Sequence, residues 1–113
     1  MKAMKAVLTA WMTVTVLMAG FAVAQEGTPR MIGQGAHVCS SWTMLRVRRQ
    51  SYGAEEWVLG FLSGVAYVGS PKLNPLLGED AGSVIAWIDR YCRDHPHNRL
   101  ATAARGFVHE HPH

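Results

Sequence analysis

The chain has 113 residues, of which 49% are hydrophobic and 17% are charged, and its formal net charge is +3. This length predicts a single domain, and the composition excludes a disordered chain, a collagen-like chain and a nucleic-acid-binding tail. Lys2 and Lys5 lie in an N-terminal leader, and without it the net charge is +1. The basic balance therefore does not indicate a nucleic-acid partner.

Residues 1–24 have the three-part layout of a secretory signal peptide. The two lysines precede an uncharged run at residues 6–24, which ends in the tripeptide Ala-Val-Ala. Small side chains at these positions are typical of signal-peptidase cleavage, which we predict before Gln25. The alternative is a retained membrane anchor, because a run of about 19 residues can just span a bilayer. Cleavage predicts a protein that is periplasmic or secreted, with no stable membrane insertion.

Cys39 and Cys92 are the two cysteines of the chain. In an oxidising compartment an even pair indicates a disulfide. The bond would close a loop of about 53 residues, which the chain-entropy model values at roughly 4 kcal/mol. A metal pair and a catalytic thiol are the alternatives, and the lack of a CxxC motif in the sequence disfavours both.

The mature chain is predicted to be all-α, with a flexible N-terminal arm at residues 25–38 and a helical domain at residues 39–113. The arm holds three glycines and one proline, so we expect order to begin near Cys39. Apolar residues then recur at helical spacing, and no alternating strand pattern follows. Four helices are predicted, at residues 39–50, 54–68, 81–95 and 99–110.

Short polar side chains mark the predicted starts of three of these helices. Ser40 or Ser41 is the expected N-cap of the first helix. Asp80 or Ser83 is expected to cap the third helix, and Asn98 the fourth.

The second helix is apolar all round, which predicts a central buried position. Gly60 and Gly64 lie one turn apart on the same face, and each costs about 1 kcal/mol in helix propensity. We therefore predict a notch at these glycines, against which a second helix packs closely. The spacing of Trp42 and Trp57 fits core positions better than exposed anchors of an interface.

Charged side chains on the first and third helices suggest surface roles. Arg46, Arg48 and Arg49 form a basic cluster that could recognise an acidic partner, the alternative being a solvated helix face. On the third helix, Asp89 and Arg93 are spaced for a favourable pair one turn apart.

No catalytic motif is found in the sequence, which contains no GxSxG, no HExxH and no glycine-rich phosphate loop. The carboxylate pairs Glu55/Glu56 and Glu79/Asp80 stand where helix N-termini favour negative charge. We therefore predict a protein that is not an enzyme and that uses no cofactor.

The histidines His109, His111 and His113 alternate at the C-terminus. Imidazoles this close can capture Zn²⁺, Ni²⁺ or Cu²⁺ weakly. The alternative, a solvated polar tail, is favoured, and no metal site is predicted.

Four strings carry a resemblance to a known family: CSSW from Cys39, EEWVLGFLSG from Glu55, AWIDRYCRDHP from Ala86 and LATAARGFVHE from Leu100. In this order they resemble small exported bacterial proteins related to the Rap/Tai-type domain, the immunity proteins against type VI secretion amidases. The resemblance covers the chain from Cys39 onward, although the loop at residues 69–79 departs from the family. It implies a compact helical periplasmic domain with one disulfide, and a protein partner whose identity does not follow from the fold.

Together these features predict a non-enzymatic exported protein that binds a partner, such as a secreted toxin, and occludes it. The alternative is a chaperone that protects unfolding envelope proteins in acid, with the architecture of HdeA-type proteins. Protonating every acid and histidine of the mature chain raises its net charge from +1 to about +15, which would loosen a small core. The oligomeric state is left open.

Overall fold

Four helices connected by short loops make up the part of the chain that the computed structural model describes, residues 29–113. A 3-10 turn at Gly33–Ala36 precedes them, and the helices are α1 (Cys39–Val47), α2 (Tyr52–Gly69), α3 (Ala81–Asp94) and α4 (Leu100–Glu110). The predicted all-α bundle is confirmed. The predicted signal peptide lies outside the described residues. In residues 29–113 no helix is both long enough and apolar enough to cross a membrane.

One apolar stripe from each helix forms the core. Two alanines of α4, Ala103 and Ala104, are fully buried and let the neighbouring helices approach closely. Burying a large apolar side chain stabilises the fold by about 1.5–3 kcal/mol, and the sum of such burials is what offsets the chain entropy lost on folding. The largest buried apolar side chains are those of Trp42, Val58, Leu62, Val84, Ile88, Leu100 and Phe107.

The predicted disulfide between Cys39 and Cys92 is confirmed. It joins the first residue of α1 to the last turn of α3, where both cysteines are fully buried and their Cα atoms are 4.8 Å apart. The bond therefore fixes the start of α1 against α3.

Order begins before Cys39, unlike the prediction for the N-terminal arm. The 3-10 turn packs against α2 and α4, and Gly35 is buried. The Trp57 indole lies over this turn and donates a hydrogen bond from Nε1 to the carbonyl of Ile32, at 3.0 Å. Because Gly33 and Gly35 lack side chains, the indole can lie directly against their backbone.

The start of α1 is not capped by Ser40 or Ser41, so that prediction is wrong. The backbone N–H groups of Cys39 and Ser40 instead donate to the carbonyls of Asn98 (2.7 Å) and Pro96 (2.9 Å), in the loop between α3 and α4. Carbonyls brought in by the fold thus satisfy the free donors of the first turn.

Asn98 does not cap α4, because its side-chain amide donates to the Tyr91 hydroxyl at 2.9 Å. The start of α4 is held instead by the Leu100 N–H, which donates to the His37 carbonyl. The predicted cap of α3 is confirmed. There Asp80 accepts from the Ser83 N–H at 2.7 Å, and the Ser83 hydroxyl accepts from the Asp80 N–H.

The second helix lies at the edge of the bundle rather than at its centre. It buries the stripe of Ala54, Val58 and Leu62. Gly60 and Gly64 are exposed, and a Cβ atom built on either glycine meets nothing within 4 Å. The predicted packing notch is therefore wrong for residues 29–113, because the bundle covers α2 on one side only.

Candidate protein-binding surface

A hydrogen-bonded network connects α3 to α1 around Asp89. The Arg46 guanidinium donates to both carboxylate oxygens of Asp89, from Nε at 3.0 Å and from Nη2 at 3.1 Å. The Trp42 indole donates to Oδ1 of the same carboxylate at 2.8 Å. A bidentate contact of this kind fixes the relative orientation of the two side chains and also pairs their charges. Asp89 therefore binds α1, and the predicted pair between Asp89 and Arg93 is replaced by this contact.

Arg46 also reaches α2, where its Nη1 lies 3.6 Å from a carboxylate oxygen of Glu55. The hydrogen bond to Asp89 is the main reason why the pKa of Arg46 is raised, with the charges of both carboxylates adding to it and burial opposing it. Because this pairing raises its pKa, Arg46 is charged at any ordinary pH, and it stabilises the fold as long as the two carboxylates remain ionised. Of the predicted basic cluster, Arg46 thus belongs to the internal network.

Arg48 and Arg49 lie just beyond α1 and are exposed. The Arg49 N–H donates to the Arg46 carbonyl at 3.2 Å and the Gln50 N–H to the Leu45 carbonyl at 2.9 Å, which is a Schellman ending. Arg49 has a φ of 55°, in the left-handed region that favours glycine. A residue with a side chain costs about 1 kcal/mol more than glycine there.

These arginines stand beside a groove between α1 and α3, of about 410 Å³. Its apolar wall includes Met44, which is 45% exposed, and Val47, which is 79% exposed. Arg48 and Arg93 line the same groove, and Arg49 and Arg93 line a second depression next to it. We call Met44, Val47, Arg48, Arg49 and Arg93 the α1–α3 surface. Within residues 29–113, no carboxylate pairs with any of its three arginines.

The C-terminal histidines do not share one environment. His111 packs against α4, with its ring 3.9 Å from that of Phe107 and its Nε2 3.4 Å from a carboxylate oxygen of Glu79. His109 and His113 are exposed. In the described part of the chain, no three His, Cys, Asp or Glu side chains come together as a metal-binding group.

The chain matches no known protein-family model, no curated protein and no solved structure. The resemblance to Rap/Tai-type domains therefore stays a prediction.

The sequence predicted two of the arginines on the α1–α3 surface but missed Arg93 and the apolar wall. Helical spacing relates residues within one helix, whereas Arg93 joins the others across two helices. The disulfide was the signal that could have found it, because Arg93 follows Cys92, which is bonded to the first residue of α1.

Proposed function

We propose that this protein is an exported, non-enzymatic module that binds another protein and occludes an acidic patch on it. The α1–α3 surface supplies the contact. Its arginines recognise carboxylates, and the apolar wall between them accepts one or two aliphatic or aromatic side chains of the partner.

The observation that carries this proposal is the conformation of Arg49. A left-handed position at a helix end is best filled by glycine, and an arginine there has a cost in stability. Its side chain is exposed, and no carboxylate of residues 29–113 pairs with it. A free charge kept at such a position fits a role in recognition.

The rigidity of the scaffold supports the same proposal. The disulfide and the Asp89 network both hold α1 against α3, so the groove between them is fixed before a partner arrives. Preformed surfaces lose less conformational entropy on binding. A disulfide of this kind persists outside the cytosol, which agrees with an exported protein.

Immunity against a secreted toxin is the specific form of this proposal that the family resemblance suggests. Immunity proteins act by covering a surface of their toxin, and a partner with an acidic rim would be steered to the arginines of the α1–α3 surface. Binding of this kind weakens as salt is added, because salt screens the attraction between exposed charges.

Crosslinking in the periplasm followed by mass spectrometry tests the proposal. The Arg49→Gly variant removes the charge while placing the favoured residue at a left-handed position, so it should be as stable as the original or up to about 1 kcal/mol more stable. We expect it to recover about tenfold less partner. The matched control is Arg105→Gln, which removes an exposed arginine of α4 and should leave recovery unchanged.

Two results would contradict the proposal. One is equal partner recovery by the original protein and by Arg49→Gly. The other is recovery of abundant background proteins alone, under every growth condition.

Acid protection is a second proposal, supported by the chemistry of the network between α1 and α3. Arg46 is held there by two carboxylates, Asp89 and Glu55, and both contacts depend on the negative charge of the carboxylate. Acid would thus loosen α1 from α3 while the disulfide limits the opening. Light scattering by an acid-aggregating client protein tests this, and no suppression at equimolar protein would exclude it.

A further inference from the structure

The outer side of α2 is a long apolar surface. Four residues spaced one turn apart run along it (Glu56, Gly60, Gly64 and Val68), and all four are exposed. No residue from Trp57 to Ser70 carries a charge. Exposed contiguous apolar surface of this kind is typical of interaction sites.

The surface of this side of α2 has the shape of a helix-packing interface. At Gly60 and Gly64 the helix surface is flat, and a Cβ atom built on either residue would lie in open space. Phe61, Val65 and Leu73 line a groove beside the two glycines, of about 590 Å³. Small residues along a helix allow a second helix to approach closely, while larger apolar neighbours fill the space at the sides. Apart from Glu56, the polar side chains next to the two glycines are those of Ser63 and Tyr67, each three residues after a glycine, and both are exposed.

The charges at the two ends of this face are opposite. Glu56 stands one turn before Gly60, and Lys72 follows the C-terminal end of α2; both are exposed. A second α2 packed antiparallel brings Glu56 of one copy to the end that carries Lys72 of the other. A two-fold axis repeats that pairing at both ends, whereas parallel packing would place like charges together.

We propose that the mature protein forms a two-fold symmetric homodimer through antiparallel packing of α2 against α2 at Gly60 and Gly64. Two helices of 18 residues bury on the order of 1,000 Å² in total, which is at the low end of specific interfaces. The dimer is therefore expected to form at micromolar or higher concentration.

A second copy fits this face better than the chain's own N-terminus does. The predicted cleavage before Gln25 would leave residues 25–28 ahead of the described chain, and these are polar or small. They precede a segment held at Trp57, at the start of the apolar face. Four such residues cannot cover the length from Gly60 to Val68.

Sedimentation velocity over a range of concentrations, up to several hundred micromolar, tests the proposal on protein recovered from the periplasm of cells that express the full chain. The Val68→Glu variant places a charge on the α2 face, and we expect it to raise the dimer Kd on the order of 100-fold. Val68 is 83% exposed, so the monomer should keep its fold, which circular dichroism and thermal unfolding verify. The matched control is Thr102→Glu, which places the same charge at an exposed position of α4 and should leave the dimer Kd unchanged.

A charge exchange tests the antiparallel arrangement. Glu56→Lys alone should weaken the dimer roughly fivefold, and adding Lys72→Glu should restore it. A failure to restore overturns the antiparallel arrangement. A dimer that Val68→Glu leaves intact overturns the proposed surface. A protein that stays monomeric overturns the whole proposal, whether its own residues 6–24 cover this face or nothing does.

Discussion

Replacing Gly35 with alanine should destabilise the fold, although alanine is an ordinary substitution for an exposed glycine. Gly35 is buried beneath the Trp57 indole, and a methyl group there would overlap three atoms of the ring. The ring would have to swing away from the turn. It would then lose its hydrogen bond to the Ile32 carbonyl and part of its stacking on Phe61, whose ring centre is 5.4 Å away.

The expected loss follows from these contacts. A neutral hydrogen bond contributes about 1 kcal/mol net, and an aromatic pair about 0.5–1.5 kcal/mol. Together they give a loss of about 2 kcal/mol, within the range measured for overpacked cores. In a domain of this size that corresponds to a fall in Tm of roughly 10 °C.

Equilibrium urea unfolding, followed by tryptophan fluorescence and circular dichroism, measures the change. The matched control is Gly53→Ala in the first turn of α2, where a Cβ atom meets nothing within 4 Å. That change should stabilise the fold by about 0.5–1 kcal/mol, because alanine favours a helix more than glycine does. If the two variants shift stability equally, or in the same direction, the packing of the N-terminal turn on Trp57 is refuted.

Three further changes test other parts of the fold by the same unfolding assay. Replacing Cys39 and Cys92 with serine should cost about 4 kcal/mol from loop entropy, and a loss below about 1 kcal/mol would contradict that account. Asp89→Ala removes the acceptor of three hydrogen bonds and should cost about 2 kcal/mol, allowing for its partial exposure. In the Asp89→Ala background, Arg46→Ala should lower the free energy of unfolding by less than it does in the original protein. Equal losses in the two backgrounds would show that the two residues act independently. Asp80→Ala removes the cap of α3 and should lower the free energy of unfolding by about 1 kcal/mol. An unchanged urea midpoint would contradict this role of Asp80.

The contacts of Arg46 could not be predicted from the sequence. Arg46, Arg48 and Arg49 were predicted to form one basic cluster because they are near neighbours in the chain. In the structure Arg46 turns inward to Asp89, which is 43 residues away, and the other two stay exposed. Sequence spacing relates neighbours on one element and carries no information about a partner that only folding brings near.

Features that depend on neighbouring residues or on simple counting could be predicted before the fold was known. Helix positions follow from apolar spacing, the α3 cap from two residues three apart, and the disulfide from an even pair of cysteines. Which apolar faces are covered could not be predicted in this way: in the fold one side of α2 is buried, Gly60 and Gly64 are exposed, and Gly35 lies under Trp57. Periodicity shows that a face is apolar, but what lies against that face depends on contacts between residues far apart in the chain.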